Sequence, residues 1–165
     1  MSAHEILLRS RLPPVYNGPP NLLIKLTMAK VRKGLPVGAR ERLVRAARKT
    51  MKNAYAPFSH FKVGAAILTS KGDIFAGCNV ENSSYGMTNC AERTAIFSAV
   101  AEKGPGLEIL AVAVTNAQGV PCSPCGACRQ VIYEFGPEAV VFYQGQQGDK
   151  QSHITELLPE GFRLK

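Results

Sequence analysis

The chain reads as one three-layer α/β/α sandwich around a mixed sheet of about five strands. Helical and strand patterns alternate along the chain from residue 38 onward, and Gly- or Pro-containing turns separate them. With 165 residues, 45% of them hydrophobic, the chain can bury one core without disulfide support.

The elements follow in order. Leu43, Val44, Ala47, Met51, Ala54 and Tyr55 recur at helical spacing from about Gly38, with Arg40, Arg45, Arg48, Lys49 and Lys52 elsewhere around the wheel. Two apolar runs, Val63 to Leu68 and Ile74 to Asn79, flank Ser70-Lys71-Gly72-Asp73, which predicts a hairpin. A helix is expected from about Cys90 to Glu102, stopped by Gly104-Pro105-Gly106, then a strand from Leu107 to Thr115. Pro124 to Phe135 predicts the next helix, closed by Gly136-Pro137; Ala139 to Tyr143 is a strand, and a short helix falls near Ile154 to Leu158. Residues 1–36 hold five prolines and Asn17-Gly18, so they read as a flexible extension ahead of a 37–165 domain.

The net charge of +8 belongs to the front of the chain. Residues 1–50 carry eleven Lys and Arg against Glu5 and Glu41, and the remainder has nine basic and ten acidic groups. A basic arm can meet nucleic acid, anionic lipid or an import receptor, but such residues are more often simply solvated. Met28-Ala29-Lys30 also reads as a plausible alternative start. With no apolar run of membrane-spanning length and no secretory signal, the expectation is a soluble cytoplasmic protein.

Five cysteines in such a protein point to metal rather than to disulfides. Ser123-Pro124-Cys125-Gly126-Ala127-Cys128 predicts a helix start, with Ser123 as cap and Cys125 and Cys128 at i and i+3 on one face. Asn89-Cys90-Ala91-Glu92 predicts a second start, with Asn89 as cap. Both ends favour thiolate, the form that binds Zn²⁺, and three thiolates leave open the fourth position that marks a catalytic zinc. Pro121-Cys122 offers a competing Pro-Cys-x-x-Cys register. Cys122 with Cys125 would put Pro124 between two ligands, so Cys122 and also Cys78 are read as packing residues.

Glu92 has two readings. With Asn89 as cap it could close a capping box at the third helical position; beside an open zinc it is the proton carrier of a zinc deaminase, whose pattern is a Cys or His then Glu upstream and Pro-Cys-x-x-Cys downstream. Arg93, at i+3 from Cys90, can bond a thiolate and offset the charge of three sulfurs, or it can be a surface ion-pair partner.

With these motifs the chain resembles the small homotetrameric cytidine deaminases that use three cysteines on zinc. The resemblance runs from Val37 to Phe162 through Tyr55 to Ala66, Gly77-Cys78-Asn79-Val80-Glu81-Asn82, Cys90-Ala91-Glu92-Arg93-Thr94-Ala95 and Ser123 to Gln130. It implies one Zn²⁺ per subunit on Cys90, Cys125 and Cys128, with Glu92 taking a proton from the zinc water so that hydroxide attacks C4 of the pyrimidine. It implies further that Asn79 and Glu81 meet the ribose, that Phe61 faces the base, and that Tyr85 and Phe162 reach a neighbouring subunit's pocket in a homotetramer. The expected substrate is a small nucleoside, cytidine or 2'-deoxycytidine, with no membrane or nucleic-acid partner. Two alternatives stand beside it: a deaminase of an aminonucleoside antibiotic, a deoxynucleotide or an RNA base, and a nucleic-acid binder with a structural zinc.

Overall fold

The computed structural model describes residues 34–164. The extension expected over residues 1–36 therefore lies almost wholly outside the described residues. Leu35, two residues ahead of the expected domain start, packs against the buried cluster that includes Ala39, Leu43 and Ala66.

The described chain runs α1 (Ala39–Met51), β1 (Val63–Thr69), β2 (Ile74–Cys78), a 3₁₀ turn (Tyr85–Met87), α2 (Ala91–Lys103), β3 (Ile109–Asn116), α3 (Gly126–Phe135), β4 (Val140–Gly145), β5 (Gly148–His153) and α4 (Ile154–Leu157). The sheet order is β2-β1-β3-β4-β5. Pairing is antiparallel except between β3 and β4, so the five-stranded sheet is mixed.

Strand alternation divides the core between the two faces. Ala66 and Leu68 of β1 face one side, where they meet Ala39, Leu43 and Ala47 of α1; Ala65 and Ile67 face the other, where they meet Ala95, Ile96 and Ala99 of α2, Ile132 of α3 and Ile154 of α4. A register shift interrupts this in β3. Leu68 pairs with Ala111 and Thr69 with Ile109, so Leu110 is an extra residue, and Ile109 turns to the face opposite Ala111.

Three features depart most from the sequence reading. α1 ends at Met51, and Tyr55 is exposed in a separate bridge to Val80, because the turn after Met51 redirects the chain toward β2. The predicted caps are displaced: Cys90 and Cys125 occupy the N-cap positions, while Asn89 and Ser123 lie outside their helices. The fifth strand, Gly148–His153, is an exposed polar edge with no apolar alternation to announce it. It is made by a two-residue connection, Gln146 and Gln147, with Gly148 at φ 101°.

Two glycines set how closely helices approach β1 and β2. A Cβ on Gly64 would lie 2.1 Å from the Ala47 carbonyl oxygen of α1, and one on Gly77 would lie 2.4 Å from the Ala95 nitrogen and 2.7 Å from the Ala91 oxygen of α2. The first turn of α2 is thus seated directly on the β2 backbone. Gly77→Ala should lift it, destabilising the fold by about 1–3 kcal/mol, the usual cost of overpacking. Thermal unfolding together with zinc content checks this: a lower melting temperature and reduced zinc are expected, and an unchanged variant would show that the contact is not tight.

Candidate active site

Both predicted helix starts converge. The Sγ atoms of Cys90, Cys125 and Cys128 all lie within 4.8 Å of one another, and Cys90 Sγ is 3.9 Å from Cys125 Sγ. Sulfurs at about 2.3 Å from a tetrahedral zinc stand about 3.8 Å apart, so the donor set and its spacing both fit that ion. The local arrangement has a simple origin. On α3, Cys125 is the N-cap and Cys128 the third helical residue, positions whose side chains meet at a helix start. α2 repeats the pattern with Cys90 as N-cap and Arg93 as its third residue.

Cys122 stays out of the cluster. It is half-buried against the core and its backbone N–H donates to Gln144 of β4 at 2.8 Å. Burial, reinforced by the charges of Glu92 and Cys90, pushes its thiol up to about 11, which keeps it protonated. Cys78 ends β2.

Charge in the cluster is unevenly held. Cys90 is drawn down to about 5 by hydrogen bonding from Cys128, helped by Arg93 and Cys125. Cys128 is driven far above the usual thiol range by the same bond and by burial. Three sulfurs this close cannot all ionise without a cation among them. Arg93 places one nitrogen 3.6 Å from Cys90 Sγ and 3.3 Å from the Thr88 carbonyl, while its buried Nε has no hydrogen-bond partner among the described residues. Its guanidinium is further stabilised in the charged form by Cys90. This makes Arg93 a contact of the thiolate, not a surface ion-pair partner.

Glu92 is only 4% exposed and sits at the second helical position, so the capping-box reading fails by one residue. The Asn89 amide, which that reading needed as the cap, donates instead to Thr94 Oγ1 at 3.1 Å. Burial pushes the Glu92 carboxyl up to about 7, with the charge of Cys90 adding to the shift. A carboxyl poised there exchanges protons near neutral pH.

The residues expected at the nucleoside are tied to the same place through backbone. Val80 and Asn89 exchange both their backbone hydrogen bonds, at 3.0 and 2.9 Å, which sets Asn79 and Glu81 beside the residue preceding Cys90. Asn79 donates to the Phe61 carbonyl at 2.9 Å and accepts from the Val63 N–H at 2.8 Å. Glu81 accepts from the backbone N–H groups of Phe58 and Ser59 and from the Ser59 hydroxyl, and that hydroxyl holds its carboxyl below the usual range. Asn79 and Glu81 therefore shape the loop that presents Phe61, a scaffolding role the sequence did not disclose. His60 in that loop has φ 55°, the one positive value at a non-glycine residue among those described. Tyr85 and Phe162 are exposed at 75% and 67%. Tyr85 packs edge-on against Phe58, with ring centroids 5.9 Å apart, and Phe162 accepts a hydrogen bond on its carbonyl from Gln130 at 2.8 Å. A shallow groove of about 460 Å³ between α1 and β5, lined by Arg40, Glu41, Val44, Arg45, Arg48 and Asp149, contains none of these groups.

A cluster of three thiols at two helix starts, with a buried carboxyl two residues after the first of them, is the pattern of the zinc-dependent hydrolytic deaminases. Comparison with known proteins makes the assignment specific. Residues 38–144 match the family described as the cytidine and deoxycytidylate deaminase zinc-binding region, and the chain belongs to that family. It is 48% identical over 124 residues to a cytidine deaminase of Sporosarcina psychrophila, covering 74% of this chain and 90% of that protein. A probable cytidine deaminase of Dictyostelium discoideum is 45% identical over 119 residues, 72% of this chain and 80% of the relative. The crystal structure of cytidine deaminase from Burkholderia pseudomallei superposes with a TM-score of 0.67 at 49% identity, covering 74% of this chain and 98% of that one.

Replacing Cys125 by Ala should abolish zinc retention, whereas Cys122→Ala should keep about one zinc per chain. Metal analysis of the two purified variants checks the register; the reverse pattern would assign the ion to Cys122.

Proposed function

We propose that the chain hydrolyses the exocyclic amine of free cytidine and 2'-deoxycytidine, giving the uridine product and ammonia. The observation that carries this reading is the Glu92 carboxyl, buried beside the three-thiol cluster. Cys90, Cys125 and Cys128 would hold Zn²⁺, which would lower the pKa of a water toward neutrality. Glu92 is placed to accept a proton from the attacking water and to return protons to ring N3 and to the departing amine, so that water is consumed and ammonia leaves. Arg93 offsets part of the negative charge that three thiolates place at the site.

Chemistry beside Glu81 supports a nucleoside over a nucleotide. Its carboxyl, kept ionised by Ser59, Phe58 and its neighbours, would repel a phosphate on the sugar, while an amide and a carboxylate suit hydroxyl groups. Among the described residues no helix is long and apolar enough to cross a membrane. None of the five cysteines is paired in a disulfide, which suits the reducing cytoplasm.

Glu92→Gln should retain zinc and lose turnover by at least about 10²–10⁴-fold, because the amide cannot carry protons. Steady-state rates on cytidine, deoxycytidine, cytosine and deoxycytidylate, with zinc measured on the same samples, test the reading; near-normal activity of the variant, or preference for the monophosphate, would overturn it.

The exposed rings of Tyr85 and Phe162 support a homotetramer in which each pocket borrows aromatic residues from a neighbour. Phe162→Ala should then weaken cytidine binding with zinc still present, an aromatic contact contributing about 0.5–1.5 kcal/mol beyond burial. Mixing it with inactive Glu92→Gln subunits should restore binding in part. A fully active Phe162→Ala protein, or no restoration after confirmed subunit exchange, contradicts the shared site.

A further inference from the structure

α3 carries two adjacent polar side chains that the deamination chemistry does not use, and both reach into the carboxy-terminal segment. Arg129 donates through Nε to the Pro124 carbonyl at 2.8 Å, through one terminal nitrogen to the Leu157 carbonyl at 2.9 Å, and through the other to Ser123 Oγ at 3.3 Å. Pro124 immediately precedes Cys125, and Leu157 ends α4. The guanidinium faces neutral acceptors here, with no carboxylate among its partners in the described residues. Its two shortest bonds go to carbonyls 33 residues apart in sequence, and a planar fork of donors is what can span both at once. Gln130, the next residue, donates to the Phe162 carbonyl at 2.8 Å. A Cβ on Gly161 would lie 3.1 Å from the Tyr133 ring, so the tail between these contacts also lies against α3.

We propose that Arg129 is a positioning residue for the metal site: it pins the Pro124-Cys125 turn to the end of α4, so that zinc retention depends on the carboxy-terminal segment. Gln130 performs the separate task of fixing the peptide that bears Phe162. The proposal rests on the zinc-deaminase reading of the cluster, but its main readout does not require turnover. The pinned turn carries an N-cap thiol whose direction is set by the peptide before it, and no other described side chain bonds the Pro124 carbonyl. Loosening that peptide lets Cys125 swing away from Cys90 and Cys128, which opens the ion to competing ligands.

The test uses the full-length zinc-loaded protein. Zinc transfer to excess 4-(2-pyridylazo)resorcinol is followed for wild type, Arg129→Lys, Arg129→Ala and Gln130→Ala, with the KM and kcat for cytidine on the same preparations. Lysine offers a point charge that can reach one carbonyl and not both, so Arg129→Lys should release zinc about tenfold or more faster and lower kcat more than it changes KM. Gln130→Ala should release zinc at the wild-type rate and raise KM. Should Arg129→Ala fail to fold, Arg129→Lys decides. Wild-type zinc release from a folded Arg129→Lys protein overturns the proposal, as does equal acceleration in Gln130→Ala, which would mean general loosening of the tail. Zinc kinetics that behave as described in a protein that does not deaminate cytidine would instead refute the substrate and leave the positioning role standing.

Discussion

The amino-terminal ends of α2 and α3 point into one small volume, and the site depends on that convergence. Each helix start exposes unpaired N–H groups and the positive end of its dipole, an effect of about 0.3–1 kcal/mol per charge near the terminus. Cys90 and Cys125 stand at the N-cap positions themselves, where a side-chain oxygen ordinarily bonds the first turn; neither makes such a bond. The sulfurs face each other instead. What a cap would have contributed to helix stability is exchanged for a place to hold a cation, and the residues one turn in, Arg93 and Cys128, complete the arrangement from the same geometry.

Packing of the sheet makes the convergence possible. α2 leads into β3 and α3 links the parallel pair β3 and β4, and both helices pack into one core on the same face of the sheet. Gly77 allows α2 to rest on the β2 backbone, which brings Glu92 into a buried position beside the thiols rather than onto a solvated first turn. Burial then does the electrostatic tuning. The same low-polarity surroundings that raise Glu92 toward neutrality keep Cys122 protonated, although it lies only three residues from Cys125. Proton carrier and bystander are separated by where each side chain sits, not by residue type.

Patterns carried in the side chains were legible in the sequence; contacts made by backbone were not. The paired thiols at i and i+3, the hairpin at Gly72 and the period of α1 each have a local cause, and the structure places them as that cause requires. Cap assignment failed because Asn89 and Ser123 have the better capping chemistry, yet both are engaged elsewhere, with Thr94 and with Arg129. β5 escaped notice because Asp149, Lys150, Gln151 and Ser152 form an exposed edge whose pairing is dictated by β4. Nothing local could have shown that Asn79 and Glu81 brace the Phe61 loop, or that Arg129 reaches Leu157, since those partners are carbonyls and amides common to every residue. The order of motifs was enough to place the chain among the deaminases, and the hydrogen bonds that hold those motifs in register emerge only from the fold.

The claim on which everything else turns is that three thiolates, and only three, hold the metal beside Glu92. X-ray absorption at the zinc edge of the full-length protein tests it most directly. About three sulfur scatterers near 2.3 Å and one oxygen at about 2.0 Å per zinc are expected. Four sulfurs, with Cys122 drawn into the shell, would make the site structural and closed, and would contradict it.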